Sequence, residues 1–230
     1  MSPVISQPRK LLGNVFMVGG PDLSDPRDCL CYLVCAPLAT VLVDCGAGPS
    51  APHILDLAAR ACPNQLTHLL LTHAHIDHVG GAAEIKRRTG CQVLIHPDDA
   101  AVLRTGDDQR SAAHWYGLRL EGVAPDETVA DGWRLMLSQD QALEVMHIPG
   151  HTPGSLAAWC FSEDQKVLFG QDVHGPFSPA FGSDLGQWQA SMTRLLALKA
   201  DVLAEGHYGV FRPAREVEEF IRKQMALHAP

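Results

Sequence analysis

Short apolar runs alternate with amphipathic stretches along most of this chain. Positions 15–18, 29–35 and 40–43 are dense in β-branched and apolar residues, the pattern of buried strands. Positions 52–61 put Ile54, Leu55, Ala58 and Ala59 on one face of a predicted helix. A short apolar strand follows at 68–71. A helix is predicted at 81–88, closed by Gly90, where glycine accepts a left-handed cap. Another strand is predicted at 92–95. Strands resume at 133–137, 142–148, 156–161 and 166–169. Positions 185–198 carry Trp188, Met192, Leu195 and Leu196 at helical spacing, and 202–204 reads as a last buried strand. Pro213 opens a C-terminal helix, since the first turn has no use for its missing N–H. Strands alternating with helices predict an α/β class with mixed sheets and outer helices.

Positions 97–132 break this rhythm. They hold Asp98, Asp99, Asp107, Asp108, Trp115, Tyr116 and Pro125 with little periodicity. The segment reads as an insertion between core elements, of the kind that shapes a binding site. A surface helix pair without a role is the alternative.

Composition narrows the class. The 230 residues suit one domain, 1–230. With 46% hydrophobic and 19% charged residues, the chain has enough apolar side chains for a substantial core. Its net charge of −8 argues against a broad nucleic-acid surface, which rests on clustered positive charge. The most apolar stretch, 29–43, contains Pro37 and stops at Asp44, too short to cross a membrane. Positions 1–10 have no apolar core of signal-peptide kind. The seven cysteines (Cys29, Cys31, Cys35, Cys45, Cys62, Cys91 and Cys160) are odd in number and irregular in spacing. They are expected to be reduced thiols in a cytoplasmic protein. Cys29, Cys31 and Cys35 share strand parity and read as buried thiols.

The chemistry concentrates in one stretch, Thr72-His73-Ala74-His75-Ile76-Asp77-His78-Val79-Gly80-Gly81. Four side chains able to bind metal occur within six positions. His73 and His75 alternate, so an extended backbone turns both rings to one side. Asp77 and His78 are adjacent and project differently, which suits a second ion. A polar turn of exposed histidines is the bland alternative, and three histidines so close tell against it. Zinc prefers four or more ligands, so others are needed downstream. His151, Asp172 and His207 each follow a predicted strand, beside glycine. Taken singly, each is more often an ordinary turn residue.

Together these residues resemble the metallo-β-lactamase superfamily of metallohydrolases. The likeness runs in order through Asp44-Cys45-Gly46, the His-x-His-x-Asp-His box, His151, Asp172 and His207. It implies a four-layer αββα sandwich of two mixed sheets, with metals at one edge. It further implies that His73, His75 and His151 hold a first ion, that Asp77, His78 and His207 hold a second, and that Asp172 bridges them. Asp44 would support the metal loop from behind. The implied cofactor is two Zn²⁺, with Fe or Mn as alternatives. One position departs from the family pattern: Gln171 stands where a glycine usually precedes the bridging aspartate.

Within the superfamily, a flavodiiron-like branch is disfavoured because His75 is not Glu. Ribonuclease branches are disfavoured by the charge, and lactamases by the presence of Asp172. The glyoxalase II and lactonase-like branch remains. It implies a hydrolase that uses a metal-bridging hydroxide to cleave a small ester, thioester or lactone, with Asp77 as the catalytic proton shuttle. A mononuclear iron persulfide dioxygenase and an inactive metal-containing binding module are the alternatives. The expected partner is a small-molecule substrate, without nucleic acid or membrane; a homo-oligomer is left open. His174, Tyr208, His114 and Tyr116 are candidate substrate contacts. His53, His68, His96, His147 and His228 lack companions at ligand spacing and read as structural.

Overall fold

The computed structural model describes residues 7–229. The beginning of the N-terminal stretch read above, 1–6, lies outside the described residues. The chain opens with an antiparallel meander: β1 (Arg9–Leu12), β2 (Val15–Gly19), β3 (Cys31–Cys35) and β4 (Thr40–Val43). Helix α1 (Ala51–Ala61) crosses to β5 (His68–Leu70). The one-turn α2 (Ile76–Val79) and α3 (Ala82–Thr89) lead to β6 (Gln92–Ile95). Helix α4 (Pro97–Thr105) and a 3₁₀ turn at Ala113–Tyr116 precede β7 (Glu127–Thr128). Strands β4 to β7 are parallel, so the first sheet is mixed, with order β1 to β7.

The second sheet takes the C-terminal half. Strands β8 (Arg134–Met136), β9 (Ala142–His147), β10 (Leu156–Ser162) and β11 (Gln165–Phe169) pair antiparallel. After a 3₁₀ turn at Pro179–Phe181 and α5 (Leu185–Leu198), β12 (Val202–Ala204) joins β11 in parallel. Strand β13 (Val210–Phe211) and α6 (Ala214–Leu227) finish the chain.

Strand alternation explains the layering. Ala158, Val167, Phe169, Val202 and Ala204 face the first sheet, where the Phe169 ring lies 5.9 Å from Tyr32. Their neighbours Ala157, Leu168 and Leu203 face Trp188, Met192 and Leu195 of α5 and Ile221 of α6. On the far side of the first sheet, α1 buries Ile54 and Leu57, and α3 buries Ile85. The architecture is the expected αββα sandwich. Among the described residues no helix is long and apolar enough to cross a membrane.

Two expectations need correction, and the region 97–132, read as an insertion, carries ordered elements. His96 caps α4 by accepting the Asp98 N–H, and β7 extends the first sheet alongside β6. Its apolar positions are too few to show a period because α4 buries Asp99 among Ala100, Val102 and Leu103.

The cysteines are not all thiols. Cys35 and Cys62, 27 positions apart, form a disulfide between the end of β3 and the C-cap of α1. The other five cysteines are free and buried. Spacing gave no hint of the bridge, because the strand order alone brings these two ends together. Closing a loop of this length removes unfolded-state entropy worth about 3–4 kcal/mol. Reduction, or Cys35→Ser with Cys62→Ser, is therefore expected to lower unfolding free energy by roughly that amount. An unchanged urea midpoint under dithiothreitol would refute this.

Nor are His96 and His147 without company. Their rings stack at 3.9 Å and 12°, and His147 Nε2 bonds the Pro153 carbonyl. The two positions lie far apart in sequence and meet only through the packing of the two sheets.

Candidate metal centre

Strand direction brings the candidate donors together. Strand β9 is antiparallel to β10, which is antiparallel to β11, and β11 is parallel to β12. The C-terminal ends of β9, β11 and β12 therefore emerge at one edge, and from them come His151, Asp172 and His207. The first sheet supplies the loop after β5, with His73 and His75, and then α2, with Asp77 and His78.

The donor atoms converge in two groups. His73 Nε2, His75 Nδ1 and His151 Nε2 lie 3.1, 2.9 and 3.2 Å from one another. Around the second group, His78 Nε2 lies 3.4 Å from His207 Nε2, and Asp77 Oδ2 lies 3.5 and 3.3 Å from those two nitrogens. Asp172 spans both groups. Its Oδ1 is 3.2 Å from both His78 Nε2 and His207 Nε2, while Oδ2 is 3.4 Å from His151 Nε2 and 3.7 Å from His73 Nε2.

These contacts suit a cation better than hydrogen bonds. His151 Nδ1 donates to the Pro176 carbonyl at 2.8 Å, which leaves Nε2 of the neutral ring as a bare lone pair. Burial pushes the pKa of His73, His75 and His151 down, that of His75 to about 3. Three neutral rings thus aim nitrogens at one point. Tetrahedral zinc–nitrogen bonds of ~2.0–2.1 Å place donors about 3.3 Å apart, close to this spacing. In the second group burial opposes charge on His78 and His207, but the carboxylates outweigh it. Asp172, Asp77 and Asp44 hold His78 well above its ordinary value, and Asp172 and Asp77 bring His207 to about 10. Those carboxylates draw in positive charge, which a bound cation would supply. Among the described residues Asp172 Oδ1 has no hydrogen-bond partner despite its burial. The donor set fits two divalent ions.

Asp44 organises the loop behind His78. It adopts a left-handed backbone (φ 58°), which aspartate tolerates better than most residues. Its Oδ1 accepts the Thr72 N–H at 2.8 Å, and Oδ2 accepts the Thr72 hydroxyl at 2.7 Å. His78 Nδ1, also 2.7 Å from Oδ2, is thereby oriented with Nε2 toward the centre. Gln171 is the fourth donor, at 2.6 Å. The residue that departs from the family pattern thus ties the Asp172 loop to the His78 support.

Residues 24–207 match the profile of the Metallo-beta-lactamase superfamily. The chain belongs to that superfamily. It is 33% identical to a hydroxyacylglutathione hydrolase of Rhodospirillum rubrum over 156 residues, 67% of this chain and 53% of that protein. Over 168 residues, 62% of this chain and 57% of the relative, it is 32% identical to the acyl-coenzyme A thioesterase MBLAC2 of Bos taurus. The chain thus spans little more than half of either relative. Among solved structures it resembles a B3 metallo-beta-lactamase with an active-site glutamic acid. That likeness has a TM-score of 0.81 at 24% identity and covers 98% of this chain and 90% of the other. The Rm3 metallo-beta-lactamase gives 0.78 at 23%, covering 97% and 93%. These two likenesses concern the fold.

In this superfamily member a cavity of about 220 Å³ opens onto the donors. The 3₁₀ turn at Ala113–Tyr116 supplies Trp115 and Tyr116 to its wall, and the turn at Pro179–Phe181 supplies Phe181. The Trp115 and Phe181 rings meet edge-on at 4.9 Å, and Phe181 meets His75 at 4.5 Å. Burial raises the pKa of Tyr116, and the charge of the neighbouring Asp77 raises it further. His174 lines the same cavity. Tyr208, largely exposed, lies beyond His207 beside a second cavity and packs on His174 at 4.8 Å. His114 is not brought in: it is exposed, bonds the Asp108 carbonyl, and lines neither cavity. A larger groove between α5 and α6, about 470 Å³, contains none of the candidate donors.

The sequence reading missed Glu205. It is fully buried; Oε2 accepts the N–H groups of His207 and Tyr208 at 2.7 and 2.8 Å, and Oε1 lies 2.6 Å from His174 Nδ1. A carboxylate at the buried end of a strand, two residues before His207, was the available signal.

Proposed function

We propose that the chain is a metal-dependent hydrolase of small acyl thioesters. In this reading His73, His75 and His151 hold one ion, Asp77, His78 and His207 hold a second, and Asp172 spans them. The observation that carries it is the paired cluster of seven donors, two-sided about Asp172. Similarity to a hydroxyacylglutathione hydrolase and an acyl-coenzyme A thioesterase favours thioesters over lactones and oxygen esters. Divalent ions bound there would lower the pKa of a shared water toward ~7 and polarise a carbonyl.

The remaining work falls to side chains. Asp77 would take and return a proton through Oδ1, the oxygen not turned to the second ion, in the cavity that Tyr116 also lines. Trp115 and Phe181 cover the donors with apolar surface, which excludes water and strengthens electrostatics inside. A cavity of about 220 Å³ suits a small acyl group.

Protein purified without chelators is expected to hold about two zinc ions per chain, one for each donor group. The same sample is expected to cleave small acyl thioesters and to lose activity on chelation. One iron per chain with oxidation of a persulfide would replace this reading with the mononuclear dioxygenase. Full metal loading without turnover of any thioester, ester or lactone would leave a binding module.

A further inference from the structure

The loops bearing His73, His75 and His151 belong to different sheets. One backbone hydrogen bond, Leu156 N–H to the Thr72 carbonyl at 2.7 Å, links them at their base. A side chain from a third element links them again, closer to the donors. Asp99, in the first turn of α4, is 1% exposed. Its Oδ2 accepts the Ala74 N–H at 3.0 Å and the Thr152 hydroxyl at 2.8 Å, and its Oδ1 accepts the Gly154 N–H at 3.1 Å. Ala74 lies between His73 and His75, and Thr152 follows His151. Gly154 admits the carboxylate: a Cβ there would stand 2.7–2.8 Å from Asp99 atoms. Asp77, His78 and His207 depend on other supports, since Asp44 holds His78 and Glu205 holds the backbone of His207.

We infer that Asp99 is a positioning residue that closes the His73–His75–His151 triangle and so sets metal affinity at that position selectively. The inference rests on the two-ion reading above. In Asp99→Asn, one oxygen can still accept from Ala74 and Thr152. The new amide then meets the Gly154 N–H donor to donor, which pushes the His151 loop away. No ligand is removed, so the effect should match loss of an outer support, about 10–100-fold in affinity.

The test titrates Co²⁺ alone into the chelator-stripped full chain, read by calorimetry and by cobalt visible absorption. The wild-type chain should show two binding steps. Asp99→Asn should weaken one step by about 10–100-fold, alter its absorption band and leave the other step unchanged. Adding Asp99→Asn to His151→Ala should weaken nothing further, whereas in His207→Ala its effect should persist. If circular dichroism shows that Asp99→Asn does not fold, Thr152→Val removes the hydroxyl's bonds to Asp99 and to Ser155 Oγ and should act on the same step. Two unaltered steps, or equal weakening of both, would overturn the inference alone. Fewer than two Co²⁺ on the wild-type chain would overturn the two-ion reading and this inference with it.

Discussion

On the two-ion reading, Asp172→Ala is expected to cost at least one bound ion and to lower turnover by more than ~100-fold. Removing an outer support of a ligand typically costs 10–100-fold, so losing a residue shared by both positions should cost more. Among the described residues Asp172 alone reaches both groups, with Oδ1 at 3.2 Å from His78 and His207, and Oδ2 at 3.4 Å from His151. Its removal also takes one negative charge from between the two donor groups, in a buried site where charges interact strongly. The fold should survive, because the side chain contacts the donor cluster and not the apolar core. Its left-handed backbone (φ 23°) would strain alanine modestly. Metal analysis, steady-state kinetics and far-ultraviolet circular dichroism on one sample check this. Two ions retained with unchanged kcat/KM would show that Asp172 does not bridge.

The second large effect concerns stability. Trp188 is among the largest fully buried side chains and sits at the centre of the cluster between the second sheet and α5 and α6. Its Nε1 donates to the Val173 carbonyl at 3.1 Å, next to Asp172, and the Phe177 ring meets it at 5.0 Å. On its other side it touches Gly150: a Cβ added there would lie 2.3 Å from the Trp188 Cβ. Trp188→Ala should therefore lower unfolding free energy by about 3–5 kcal/mol. That is a large share of the ~5–15 kcal/mol that holds a typical domain together. Metal affinity should fall with it, since the indole Nε1 ties the Val173 carbonyl next to Asp172. Urea unfolding of the metal-free chain measures the first effect. A loss under about 1 kcal/mol would mean that the cluster repacks around the gap.

Much of the fold was legible wherever one physical pattern dominated. The helix at 185–198 coincides with α5 because an amphipathic stretch of that length has one stable reading. The strand at 202–204 coincides with β12, a short apolar run buried on both faces. The edge strands β1 and β13 were missed, since short half-exposed strands carry little hydrophobic signal. In α4 a buried carboxylate interrupts the apolar face, so no period was visible. Cys29 lies just before β3 although its parity matched the strand.

The chain by itself determined which side chains are the candidates for the chemistry: a dense box of histidines and an aspartate, and three single donors beside glycine at strand ends. Their side-chain types and order are local facts, written in the primary structure. Only the tertiary structure decided that these donors meet about Asp172, that Cys35 reaches Cys62, that His96 stacks on His147, and that Asp99 and Glu205 hold the loops. Each of these pairings joins residues distant in sequence or carried on separate elements. They depend on strand direction and sheet packing, which no local pattern of residues encodes.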